Sequence, residues 1–152
     1  MKRTSRIVAA KRPTLGLSTE ERAAFRAAKL TARDVEASGG EDLHRRLCST
    51  VSRARCDELA ALADFQRLGS VGLETARDFI ALGFACVADL KGQDPRELHA
   101  RMCELTKSHH DPCVEDAFRC AIAQVEDPSL PVELRDWWHW TKVRGQPMSA
   151  RP

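Results

Sequence analysis

The sequence predicts an all-α fold of tandem small helical units in one compact domain. Three observations carry that expectation. Apolar residues recur at helical spacing between recognisable cap residues. No stretch alternates as a strand would, tyrosine is absent and aromatics make up only 5% of the chain, which disfavours a β-sandwich or barrel. The chain also matches itself at an offset of 55 residues. With 152 residues, 43% of them hydrophobic and 30% charged, it is long enough for one real core and too short for two large ones. No apolar run approaches the ~20 residues that a membrane-spanning helix needs.

The elements follow in order. Residues 1–17 lack periodicity, hold Pro13 and Gly16, and read as a flexible basic arm. Ser18-Thr19-Glu20-Glu21 starts a helix that runs through Leu30, with acids in its first turn. A short helix begins at Thr31 and ends at Ser38-Gly39-Gly40, and another covers Glu41 to Leu47. Arg53 to Leu68 is the longest, with Leu59, Leu62 and Phe65 on one face. Gly69 to Gly72 breaks the pattern before a helix from Leu73 to Leu82, which Gly83 closes. Cys86 to Leu90 is a short helix. Asp94-Pro95 and Asp111-Pro112 each start a helix, running to about Leu105 and Val125. Leu134 to Trp140 follows an irregular proline-containing stretch, and residues 142–152 read as a flexible tail.

The 55-residue repeat sets Asp34-Val35 on Asp89-Leu90 and residues 42–47 on 97–102. A weaker match at 20 residues sets Val51 on Val71 and Leu59–Leu62 on Phe79–Leu82. Small helical units that cannot bury an apolar face alone would produce such matches.

Charge is uneven. Residues 1–12 carry +5, residues 141–152 carry +3, and the body between carries −6. An acidic body with basic ends is a poor match to a long phosphate backbone, so any nucleic acid must be held at a local site or by the ends. The six cysteines, with no signal peptide in view, read as free thiols in a reducing cytoplasm. The acid-free N-terminus keeps a transit peptide as the minor alternative. Arginine outnumbers lysine 18 to 6, which reads as codon bias of a GC-rich bacterial genome.

The most informative segment is residues 65–83. Two helices meet at a tight turn, with Gly69 and Gly72 placed for positive φ and close approach. Val71 would plug the seam between the helices. The backbone N–H groups of the turn and of the next helix's first turn would form a small anion site. The segment resembles a helix-hairpin-helix motif. Residues 87–98, 111–121 and 137–140 narrow the likeness, and residues 60–141 together resemble the bacterial pathogenicity-locus family of small helix-hairpin-helix proteins, some of which carry a mitomycin-resistance label. The resemblance implies helix-hairpin-helix or SAM-like units and DNA binding, and no reaction. On it, residues 18–63 form a degenerate unit and residues 64–141 the family region. Gly69, Ser70, Val71, Gly72, Thr75 and Arg77 would hold a DNA phosphate. Hairpins of this class can also hold a monovalent cation on turn carbonyls. The sequence departs from the pattern at Gly69, where proline is usual, at Ser70, where glycine is, and at Glu74, where lysine is common. A carboxylate there would weaken phosphate binding. The competing reading makes the turn a packing corner.

Trp137, Trp138 and Trp140 could close a small core, contact a partner or stack on unpaired bases. Cys103, His109, His110, Cys113 and Cys120 lie within eighteen residues and carry zinc-binding side chains. They form no C-x-x-C pair, and Cys113 and Cys120 are seven apart on one helix, so buried thiols are the preferred reading and no metal is expected. Glu115 and Asp116 read as a solvent face. No catalytic motif is present. The expected function is weak, sequence-independent DNA binding; the alternative is a non-enzymatic adaptor that binds a protein through the tryptophan segment or an acidic face.

Overall fold

The computed structural model describes residues 11–48 and 50–152. Those residues form seven α-helices and three short 3-10 helices, with no strand among them. The helices are α1 (Thr19–Ala27), α2 (Ala32–Glu36), α3 (Gly40–Arg46), α4 (Arg53–Phe65), α5 (Leu73–Ala81), α6 (Pro95–Thr106) and α7 (Cys113–Glu126). The 3-10 helices are Val87–Leu90, Val132–Arg135 and Trp137–Val143. The all-α expectation therefore holds, and most helices begin where their cap residues place them. Ser18 accepts from the Glu21 amide at 3.1 Å while Glu21 accepts from the Ser18 amide at 2.9 Å. Asp94 caps α6 with Pro95 in its first turn.

The self-match has a structural counterpart, in which the turns and helix ends correspond at 54 residues and not at the 55 of the sequence match. Gly16 and Ser70, 54 residues apart, both take left-handed φ, at 61° and 63°, two residues before the N-caps Ser18 and Gly72. Lys29 and Gly83 both end a helix with positive φ, and the following Leu30 and Phe84 amides reach back to the Phe25 and Phe79 carbonyls. Two glutamines complete the correspondence. Gln66 brackets the Thr14 backbone, accepting from its amide at 2.9 Å and donating to its carbonyl at 2.8 Å, and also donates to Leu62 O. Gln124 brackets Gly69 in the same way, at 2.7 and 3.0 Å, and donates to Cys120 O. A buried glutamine thus fastens the segment ahead of each turn, Gln66 from the C-cap of α4 and Gln124 from within α7. The 20-residue match also has a counterpart, since Val51 and Val71 are both buried directly before an N-cap.

One apolar core runs from Leu15 and Phe25 to Phe118 and Ile122. Phe79 sits at its centre, with ring centroids 5.2 Å from Phe65 and 5.1 Å from Phe118. A smaller cluster joins Cys120 and Ala123 to Leu130, Trp140 and Val143. Glu21 also ties α1 to α4 by accepting from Arg55 Nε at 2.8 Å, and that bond chiefly holds its carboxyl below the usual carboxylate range. A depressed carboxyl contributes stability above its unfolded pKa and loses it as pH falls through the folded one. Glu21→Gln is therefore expected to lose about 1 kcal/mol at neutral pH. The difference from the parent should shrink below about pH 4, as urea denaturation at the two pH values would show.

Three expectations are corrected. Residues 11–17 do not behave as an arm: Pro13 is buried, Leu15 enters the core and Thr14 is bracketed by Gln66. The arm's remaining basic residues, Lys2, Arg3 and Arg6, lie outside the described residues. The tail 142–152 is docked: Val143 is buried, and Arg119 donates to the Gln146 and Pro147 carbonyls at 2.7 and 3.2 Å. Asp116, read as solvent-facing, is fully buried. It accepts from Thr141 at 3.1 Å and from two guanidinium nitrogens of Arg144. The tail brings its own hydrogen-bonding groups to an apolar helix face, and helical periodicity carries no sign of them.

Candidate functional site

The turn between α4 and α5 is built from both ends of the chain. Phe65 is the last residue of α4, and Val71, buried, seals the seam ahead of α5. The left-handed residue is Ser70, not Gly69 or Gly72, which corrects the expectation for the glycines. A serine tolerates that conformation here because its hydroxyl is held. It accepts from the Trp137 amide at 3.2 Å and lies 3.4 Å from an Asp136 carboxylate oxygen, to which it donates. Gly69 is required by close approach: a Cβ there would stand 2.7 Å from Arg135 Cβ and 2.8 Å from Arg135 O. Gly72 has φ −97° and open space where a Cβ would go.

This geometry divides the expected phosphate ligands. The Gly69 amide is taken by Gln124, and the Val71 amide by Leu68 O at 3.3 Å. Gly72, the N-cap, has no side chain to close α5, and the amides of Gly72, Leu73, Glu74 and Thr75 have no partner among the described residues. The contrast with α1, whose first turn Ser18 closes, is direct. Unpaired amides at a helix N-terminus carry partial positive charge and accept an anion. Arg77 is engaged by Glu74 at 2.8 Å, but the Glu74 side chain is 83% exposed, so that pair is weak and separable. Lys11, expected in the basic arm, instead donates its ammonium to the Val71 carbonyl at 2.9 Å. It sits on the kind of turn carbonyl that a monovalent cation would use.

The three tryptophans separate. Trp140 is buried and donates its indole N–H to Leu134 O at 2.8 Å, with Arg151 over its ring. Trp137 is half-buried beside the turn, its amide on Ser70. Trp138 is 54% exposed, edge-on to Trp137 with centroids 6.1 Å apart. The cysteine and histidine group is dispersed. The His110 amide donates to Cys103 Sγ, Cys113 is half-buried, and burial pushes the Cys120 thiol up to about 12. Among the described residues no three His, Cys, Asp or Glu side chains are placed to hold a metal ion.

The turn, α5 to α7 and the docked tryptophan segment form the part of the chain that belongs to a known class. A family model described as pathogenicity locus matches residues 58–146, more than half of the chain, and the chain belongs to that family. Mitomycin resistance protein McrB of Streptomyces lavendulae is 38% identical over 82 residues, which cover 54% of this chain and 74% of that relative. No solved structure matches the chain. The family region covers the second half of α4, α5 to α7 and the segment that clasps the turn, while α1–α3 lie outside it.

Proposed function

We propose that this chain binds nucleic-acid backbone, DNA being the expected partner, weakly and without sequence preference, through a helix-hairpin-helix turn formed by α4 and α5. The observation that supports this most is the uncapped first turn of α5, with the Lys11 ammonium beside it. In this reading one phosphate accepts from the Gly72, Leu73 and Glu74 amides, with Thr75 N–H and hydroxyl at its edge. Gly69, Ser70 and Val71 shape the turn and do not donate to the ligand. Arg77 assists once a phosphate competes for it against Glu74. Lys2, Arg3, Arg6 and Arg12 add salt-sensitive attraction.

The test is fluorescence anisotropy with a labelled short duplex and its single strand at low salt. Gly72→Asp is the informative variant. Open space and an ordinary φ admit the side chain, and aspartate is a good N-cap, so stability should hold or rise slightly. Its carboxylate would occupy the amides and repel phosphate, costing about ten- to a hundredfold in affinity. The triple variant Lys2→Gln, Arg3→Gln, Arg6→Gln should weaken binding and flatten its salt dependence without abolishing it. Unchanged affinity in Gly72→Asp, or loss confined to the triple variant, would leave the turn as a packing corner. The adaptor reading, which the acidic body and the exposed Trp138 favour, would then take its place.

A further inference from the structure

We infer that Trp138 is a base-stacking platform, and that the nucleic acid held at the α5 turn is therefore an unpaired strand. The inference rests on the phosphate reading above and adds to it the class of strand. Its basis is placement. The Ser70 hydroxyl joins the Asp136 carboxylate and the Trp137 amide, so the start of the 3-10 helix Trp137–Val143 is tied to the turn itself. Gly69 packs directly against Arg135. Trp138 follows Trp137 by one Cα step of about 3.8 Å, so an exposed indole is carried on the segment that clasps the turn.

The segment spends its other aromatics differently. Trp140 goes into the small core, and Trp137, half-buried, packs against that core. Trp138 alone of the three is left more than half exposed. An edge-on Trp137 and a tilted His139 ring, 5.8 Å away, flank its indole. Holding a large apolar ring open to water is unfavourable, and nothing in the packing of the segment requires it. A base has a π face that such a ring can meet whatever its identity, in keeping with binding that ignores sequence. A duplex keeps its bases stacked on each other, whereas an unpaired strand can turn one onto the indole while its phosphate sits at Gly72 to Glu74.

The test uses three labelled probes of equal length: oligothymidylate, an abasic strand carrying the same phosphates, and a hairpin duplex. Each is titrated into the full chain, Trp138→Ala, Trp138→Phe and Gly72→Asp, with anisotropy and intrinsic tryptophan emission as readouts. Oligothymidylate should bind about tenfold more tightly than the abasic strand and quench the emission. Trp138→Ala should bring its affinity down to that of the abasic strand, and Trp138→Phe should keep most of it. Circular dichroism should be unchanged, because the replaced ring is exposed. If oligothymidylate and the abasic strand bind alike, both sensitive to Gly72→Asp, the phosphate reading stands and the stacking inference is overturned. Stacking is equally overturned if Trp138→Ala leaves oligothymidylate affinity unchanged, or if the duplex binds most tightly. If no probe binds at low salt, the phosphate reading and the inference fall together.

Discussion

Phe79→Ala is expected to lose about 3–5 kcal/mol of stability, a large part of what a domain of this size possesses. Phe79 joins helices from distant parts of the chain. It is fully buried on α5, in ring contact with Phe65 of α4, Phe118 of α7 and Phe84 after the turn that ends α5. Truncation would remove the shared partner of three rings on separate elements, and fixed helices cannot all move in to fill the space. Urea denaturation should show a midpoint well below that of the parent with an unchanged slope. A loss under about 1 kcal/mol would mean that α4, α5 and α7 do not share the core described for them.

Gly69→Ala is expected to lose about 2–3 kcal/mol and to release the C-terminal segment. The new methyl would lie within 2.8 Å of Arg135 Cβ and its carbonyl oxygen, and 3.1 Å from Gln124 Oε1. Backbone cannot yield as a side-chain tip can, so the Arg135–Trp137 stretch must lift from the turn. Both bonds of the Gln124 bracket weaken with it. Emission should shift to the red as Trp137 and Trp140 gain water, while helical circular dichroism is largely kept. Gly72→Ala is the control, because nothing lies within 4 Å of its Cβ position. Equal effects at the two glycines would contradict the close approach assigned to Gly69.

The helices were legible because their ends carry local chemistry. Ser18, Ser52 and Asp94 each accept from a nearby amide, and such caps can be read from a few adjacent residues. The repeat was legible for the same reason, since equivalent turns need equivalent residues. What escaped depends on partners far along the chain. Ser70 takes the conformation expected of a glycine because Asp136 and Trp137 hold its hydroxyl, and no local pattern reports a contact across 66 residues. Asp116 reads as a surface acid on the helical wheel until Arg144 arrives to bury it. Gln66 and Gln124 carry no local signal, because each brackets a backbone more than fifty residues away. At the candidate site the turn and its residues were legible. The division between amides that are taken and amides that remain available was not, because it is decided by Gln124 and by the docked tail.

The most direct measurement is an amide-resolved NMR titration of the full chain with short oligothymidylate at low salt. A phosphate site at the start of α5 predicts that the Gly72, Leu73, Glu74 and Thr75 amides shift first and furthest. The Gly69 and Val71 amides should move little, because Gln124 and Leu68 already hold them. Shifts confined to the basic N-terminal residues, or spread evenly over the surface, would contradict that placement.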